Sequence, residues 1–233
     1  MIATQPTESK RVLIDLALAT PLILVVPVEF GLLLTLWDTE LNWAALGFGA
    51  AGWAIALVLR SPVALVAGRV SDSPHAVQRS VMFSSGPLEE TARLIVLILV
   101  GREFGVAFSI GLGWAAAEVV YSLVNGYVMA SLNLRTDEKA AQARQQLQEL
   151  GLPSQVSPFW GILERVSASA LHIGFTLLLA MWPLLLLATI PVHSATNAGV
   201  MAVLRESVLR AQGVVAVVGL ALFLVGLAAF GKI

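Results

Sequence analysis

The segment GPLEETARLIVLILV, residues 86–100, places two glutamates and an arginine in a run that is otherwise mostly apolar. Such a run is typical of a membrane-spanning helix. A charged side chain near the bilayer centre costs roughly 2.5–3.5 kcal/mol on insertion scales, so charged residues of this kind face the inside of a protein rather than lipid. The segment therefore predicts an all-α, polytopic membrane helical bundle with a polar interior.

The composition supports this class. Of the 233 residues, 58% are hydrophobic and 12% are charged, with a mean hydropathy of +0.84, whereas soluble domains carry about 25% charged residues. The net charge of −1 gives no basis for binding nucleic acid. The absence of cysteine excludes disulfides, thiolate metal ligands and cysteine nucleophiles. We expect one integral membrane domain over residues 1–233, with its motif-bearing core at about 80–205.

About seven membrane spans are predicted from windows of about 20 apolar residues. They lie at roughly 12–37, 43–60, 80–101, 104–132, 159–181, 183–204 and 211–230. The stretch between the second and third spans, 61–79, is half apolar and is expected to lie along the membrane interface or to dip into it. Residues 135–150 are charged and rich in glutamine and alanine, which predicts a short cytoplasmic helix.

The basic residues predict the orientation, because cytoplasmic segments of membrane proteins are enriched in lysine and arginine. A cytoplasmic N-terminus leaves Arg102 and Lys232 outside and puts most of the others inside: Lys10, Arg11, Arg60, Arg69, Arg79, Arg135, Lys139, Arg144, Arg205 and Arg210. Four tryptophans fall at predicted span ends, as an aromatic belt does, but Trp53 and Trp114 do not.

The third span carries the first chemical motif. Arg93 follows Glu89 by four residues and Glu90 by three, and both spacings bring side chains together on a helix. An adjacent guanidinium favours the ionised form of a glutamate. We expect these three residues to be catalytic, with one glutamate as the general base for an attacking water; the spacing leaves open which one. The alternative is a Glu–Arg pair that only stabilises the helix.

The fourth and fifth spans add further polar groups. Glu118 and Tyr121 share a helix face, and Glu118 is predicted to be a metal ligand with Tyr121 beside it. Glu164 and Arg165 precede His172 by two helical turns, and they are expected either to support the site or to anchor the helix at the interface. His172 lies near the middle of its span and is predicted to be a metal ligand, although a single histidine is more often a satisfied polar group.

The sixth span contains His193 and Asn197, which lie on one helix face at positions i and i+4. Together with Glu118 and His172 they form a ligand set suited to a divalent metal, with zinc preferred. The alternative is a helix kink at Pro191, with nearby Ser194 and Thr196 satisfying the backbone groups that the kink frees. We expect the metal to leave one coordination position for water.

In order, the chain reads Glu-Glu-x-x-Arg (89–93), Gly-x-Gly-x-x-x-x-Glu (111–118), Glu-Arg followed by His172, and His-x-x-x-Asn (193–197). This pattern, over about residues 84–200, resembles the YhfC-type intramembrane metalloproteases, which are related to the CAAX-processing and bacteriocin-processing (CPBP) and PrsW-like membrane proteases. The resemblance implies that Glu89 and Glu90 hold and activate the attacking water. Glu118 replaces a histidine of the CAAX-type motif and agrees with the YhfC-like version.

The expected function is that of an intramembrane metal-dependent endopeptidase. Its substrates would be membrane proteins or membrane-associated peptides, and its location a bacterial or archaeal plasma membrane. Two alternatives remain open from the residues alone. A proton-coupled transporter also places glutamate and histidine within the membrane, and a catalytically silent scaffold would keep the site without turnover.

Overall fold

The computed structural model describes residues 6–150 and 157–233, and these fold into α-helices with two short 3-10 turns. No strand occurs in either range, so the all-α prediction is confirmed. The helices are α1 (Pro6–Leu33), α2 (Trp43–Val58), α3 (Arg60–Val70), α4 (Pro74–Val100), α5 (Phe104–Leu132), α6 (Glu138–Glu149), α7 (Trp160–Met181), α8 (Leu186–Leu204) and α9 (Val208–Ala229).

Six of the described segments are long and apolar enough to cross a membrane, with α2 and α3 counted as one stretch. The remaining predicted span is α4, which has 27 residues and is therefore about 40 Å long at 1.5 Å per residue. Its hydropathy is lowered by the charged residues Glu89, Glu90 and Arg93. The chain is a multi-pass membrane protein, and the predicted count of about seven spans is consistent with it.

Side-chain caps begin several of the helices. The Asn42 carboxamide accepts a hydrogen bond from the backbone N–H of Ala45 at 2.9 Å, at the start of α2. Asp137 and Ser207 do the same for α6 and α9. Each cap satisfies a backbone donor that the first turn leaves without a partner. The polar connections between the apolar runs therefore define where the helices start.

The stretch after the second span is more regular than a loop. Residues Arg60–Val70 form α3, which follows α2 almost without interruption and packs against α4. This places Arg60, the first residue of α3, beside the middle of α4. The sequence placed residues 61–79 along or partly in the membrane interface. It did not predict that the stretch up to Val70 forms a helix packed on α4, or that residues 74–79 are the start of α4.

Helix α7 is the most enclosed of the apolar helices and packs against α1, α4, α5 and α9. Along one half of its length its own Ile173 and Leu177 join an apolar cluster with Phe108 and Phe223. The Phe108 and Phe223 rings lie 6.3 Å apart, edge to face. This cluster fills the half of the bundle that is predicted to face outside.

Glycines allow the backbones of α2 and α5 to touch. A Cβ atom on Gly49 would overlap the carbonyl oxygen of Ile110, and one on Gly113 would overlap that of Leu46. Small residues at helix contacts let membrane helices approach closely. The contact fixes the position of Trp114 and Glu118 on α5, which matters for the polar interior.

We predict that Gly49→Ala destabilises the protein by about 1–3 kcal/mol, because the added methyl group must displace backbone rather than a flexible side chain. Gly47 lies two residues earlier on α2, and a Cβ atom added there would have no other atom within 4 Å. Gly47→Ala is therefore the matched control and should leave stability unchanged or slightly raised. Thermal unfolding in detergent measures both; equal melting temperatures for the two variants would contradict the close contact.

Candidate functional site

The polar residues of four helices meet inside the bundle. Glu89, Glu90 and Arg93 come from α4, and His193 from α8; all are buried. His172 comes from α7 and is also buried, and the half-buried Glu118 reaches the same place from α5. The structure thus brings together, across helices, the residues that the sequence placed at similar depths in separate spans.

Arg93 is the hub of this cluster and is fully buried. Its Nη1 atom donates to the Thr176 hydroxyl at 2.8 Å and to the backbone carbonyl of His172 at 3.1 Å. Its Nη2 atom donates to Glu90 Oε1 at 3.3 Å, and its guanidinium lies 4.3 Å from the ring centroid of Trp114. One side chain therefore ties α4 to both α5 and α7.

The contact with Arg93 selects the tautomer of His172. Arg93 Nη2 lies 3.1 Å from His172 Nδ1, and a guanidinium can only donate, so Nδ1 accepts and carries no proton. The ring proton is then on Nε2, which donates to Glu118 Oε2. Both ring nitrogens of His172 are occupied by these two partners.

In His193 the Nδ1 atom has the opposite role and donates a hydrogen bond. Its Nδ1 atom lies 2.7 Å from Glu90 Oε1, and because a carboxylate accepts, Nδ1 donates. The ring stacks on Phe175, with 5.4 Å between centroids and 7° between planes. Its other nitrogen, Nε2, lies 3.7 Å from Glu89 Oε1. His193 therefore turns Nε2 toward Glu89 while Glu90 fixes the ring from behind.

Each carboxylate of the cluster pairs with an arginine. Glu90 pairs with Arg93, and Glu89 pairs with Arg60, which reaches it from the start of α3. Glu89 also accepts a hydrogen bond from Trp114 Nε1 at 2.9 Å. Glu118 pairs with Arg165, whose Nη1 lies 2.6 Å from Glu118 Oε1. A buried charge is strongly unfavourable without a counter-charge, and here three ion pairs satisfy that requirement.

A cavity of about 310 Å³ opens beside these groups. Glu89, Glu118, His172 and His193 line it, while Glu90 and Arg93 are fully buried behind its wall. Its other lining residues include some at the ends of α2, α7, α8 and α9 that are predicted to face the cytoplasm. The cavity thus connects the cluster to the predicted cytoplasmic half of the bundle.

The remaining predicted site residues also line this cavity. Asn197 donates from Nδ2 to the Ser85 hydroxyl at 2.8 Å. Tyr121 packs its ring against Trp53, with centroids 5.4 Å apart. Glu164 pairs with Arg165 Nη2 at 2.6 Å. Arg165 therefore contacts both Glu118 and Glu164, so two of the residues predicted to support the site lie next to Glu118.

The sequence did not single out four residues that the structure places at the cluster or cavity: Arg60, Trp114, Thr176 and Gln212. Trp114 could have been found, because it lies away from the predicted span ends where an aromatic belt would place it. Thr176 follows His172 by one helical turn, which puts the two on one face. Arg60 was read only as a topology signal, and nothing in the sequence pairs it with Glu89.

In this arrangement most of the predicted metal ligands are engaged by other side chains. Among the described residues no group of three or more histidine, aspartate, glutamate or cysteine side chains is placed to hold a metal ion. Of the four predicted ligands, His172 and Glu118 are joined to each other and to arginines, and Asn197 donates to Ser85. Catalytic zinc sites use three protein ligands. The zinc site therefore stays a prediction from the sequence.

No protein-family model matches the chain, and neither do the curated proteins or the solved structures compared with it. The resemblance to the YhfC-type proteases accordingly stays a prediction from the motifs.

We predict that Arg93→Gln destabilises the protein by about 3–5 kcal/mol, because it leaves Glu90 buried without its counter-charge. The double variant Arg93→Gln/Glu90→Gln should recover part of that loss, since it removes both charges. Arg210→Gln, which breaks an exposed pair with Glu206, is the control and should have little effect. Unfolding in detergent measures all three; additive losses in the double variant would contradict the pairing.

Proposed function

We propose that this protein is an intramembrane hydrolase that cleaves peptide bonds of membrane-associated proteins. The observation that carries the proposal is the pair formed by His193 Nε2 and Glu89 Oε1, 3.7 Å apart at the wall of a cavity. Glu90 holds the opposite nitrogen of the same ring at 2.7 Å. An imidazole oriented by a buried carboxylate, with its other nitrogen facing a second acidic group, is suited to activating water.

Glu89 and His193 exchange the protons in this mechanism. A water oxygen in contact with both attacks the carbonyl carbon of the peptide, and its proton passes to Glu89 or to His193 Nε2. The tetrahedral intermediate then collapses, the C–N bond breaks, and the same group returns the proton to the leaving amine. Glu90 is fully buried behind the cavity and does not touch substrate, so its part is to orient His193.

Arg60 is the candidate for stabilising the oxyanion. Its side chain is 24% exposed, lines the cavity and pairs with Glu89. Its Nε–H has no hydrogen-bond partner among the described residues. A preformed cationic donor beside the reacting carbonyl stabilises the charge that develops in the transition state. No step of this mechanism uses a metal ion.

The choice of a membrane-associated peptide rests on where the cavity lies and on the motif resemblance. The cavity is enclosed by helices that are apolar enough to span a membrane, and it connects to the predicted cytoplasmic half. A substrate segment would enter from that half in an extended form. The bacterial or archaeal plasma membrane as its location belongs to the same proposal.

A proton-coupled transporter is the second candidate, and one observation favours it. Hydrogen bonds connect Glu118, His172, Arg93, Glu90 and His193 in a continuous chain through the bundle. The guanidinium in the middle of that chain does not release its proton in proteins, so it cannot pass one on. Helices α4, α5, α7, α8 and α9 also run without an unwound segment, whereas transporters often have broken helices at the substrate site. These facts favour the hydrolase.

We predict that Glu89→Gln and His193→Gln each lower hydrolysis at least 100-fold while the protein stays folded, because each removes a group that exchanges a proton with water. Glu206→Gln, at an exposed site, is the control. Purified protein is reconstituted with a library of transmembrane peptides in water enriched in oxygen-18, and mass spectrometry detects new carboxyl termini that carry the label. Label in the products of both variants at the rate of the unchanged protein would overturn the assignment.

The same preparations test the zinc prediction and the alternatives. Because other side chains engage His172, Glu118 and Asn197, elemental mass spectrometry should find no stoichiometric metal. A chelator should leave hydrolysis unchanged. About one zinc per chain, lost in His193→Gln, would instead support the metal-dependent mechanism. Labelled product from no peptide, together with proton uptake driven by a substrate gradient, would favour the transporter; neither activity would favour the scaffold.

A further inference from the structure

The cavity has two chemically different parts. One part holds the charged cluster with Glu89 and His193. The other part lies between α7, α8 and α9 and reaches the turn where α8 ends and α9 begins. We call this second part the apolar arm; six apolar side chains line it: Ala168, Leu171, Val200, Leu204, Ala211 and Val215.

Gln212 is the polar side chain that α9 contributes to the cavity wall. Thr196 and Asn197 on α8 also line the cavity, but they hydrogen-bond to Val192 and Ser85. Gln212 lines the cavity, is only 6% exposed, and its Oε1 atom has no hydrogen-bond partner among the described residues. A buried acceptor without a partner destabilises a protein, so such groups usually have a reason to be kept. A carboxamide oxygen without a partner, beside apolar side chains, is suited to a neutral N–H donor, which hydrocarbon tails of lipids lack.

The size of the cavity limits what can bind. A volume of about 310 Å³ is at the lower end for ligand pockets. It accommodates a short extended stretch of chain and not a packed helix. An extended peptide presents both of the groups that the arm is suited to receive, namely side chains and main-chain N–H groups.

We propose that the apolar arm is a specificity subsite for a large apolar side chain next to the cleaved bond, and that Gln212 Oε1 accepts a hydrogen bond from a main-chain N–H of the bound peptide. The proposal rests on the proposed peptide hydrolysis and names the residue class that the site selects. Gln212 acts as a positioning residue, away from the proton-exchanging pair.

The absence of cysteine makes a direct binding test possible. Val215→Cys places a thiol in the arm, and Val217→Cys places one on the outer surface of the same helix, where the valine is 71% exposed. A charged methanethiosulfonate reagent should label Val215→Cys from the aqueous phase and leave the lipid-facing control almost unlabelled. N-acetyl-leucyl-leucine amide should protect Val215→Cys from labelling, and N-acetyl-glycyl-glycine amide should protect it at least tenfold less well.

The role of Gln212 is tested in the same assay. Gln212→Ala in the Val215→Cys background should raise the half-protecting concentration of the leucine peptide about tenfold, the effect expected from one lost hydrogen bond to a buried acceptor. Gln146→Ala, on the exposed face of α6, is the control. A leucine peptide that is methylated on its main-chain nitrogen cannot donate this hydrogen bond. It should bind to the protein with Gln212 as weakly as the unmethylated peptide binds to Gln212→Ala. Combining the methylated peptide with Gln212→Ala should cause no further loss of binding.

Three results would overturn the subsite: equal labelling of the two cysteines, equal protection by leucine and glycine peptides, or an unchanged half-protecting concentration in Gln212→Ala. Protection needs binding only. If peptides protect the arm but no labelled product forms in oxygen-18 water, the subsite stands and hydrolysis fails. If hydrolysis occurs without protection, the subsite alone is wrong.

Discussion

The interior of this bundle depends on the pairing of buried carboxylates with arginines. Glu90 and Arg93 are fully buried on α4, which packs against helices that are apolar enough to span a membrane. Neither charge is tolerable there alone. Because both residues lie on α4, the constraints between helices come from their other partners and from the other two ion pairs. Arg93 links α4 to α5 and α7, and Arg60 and Arg165 supply the charges for Glu89 and Glu118. The positions of the two histidines follow from these pairs.

The Nδ1 atoms of the two histidines have opposite hydrogen-bonding roles, and this makes the site chemically asymmetric. Arg93 forces His172 to accept at Nδ1, and Glu90 forces His193 to donate at Nδ1. His172 is thereby closed by partners on both sides, whereas His193 turns Nε2 toward Glu89 and the cavity. A single network thus leaves Glu89 and His193 Nε2 facing each other, which is the pair that we propose to exchange protons. In the proposed function, the apolar arm receives another part of the substrate.

Sequence reasoning reached the helical class and the convergence of Glu89, Glu118, His172 and His193, because each polar group interrupts an apolar run and must avoid lipid. It could not assign partners across helices. Arg60 comes before α4 and Arg165 after α5, and their pairing with Glu89 and Glu118 depends on how α3 folds back and how close glycines let the helices approach. The predicted metal ligands illustrate this limit: residue types alone suggested zinc, while the contacts occupy His172 and Glu118 with other groups. Gln212 carried no sequence signal, since a lone glutamine near a helix start is common.

The most direct test of this network is nitrogen-15 NMR of the histidine rings. The chain has only three histidines, so labelled histidine gives few signals, which His75→Gln, His172→Gln and His193→Gln assign. The structure predicts an unprotonated Nδ1 with a protonated Nε2 in His172, and a protonated Nδ1 in His193. A protonated Nδ1 in His172, or an unprotonated Nδ1 in His193, would contradict the pairing of Arg93 and Glu90 with the two rings.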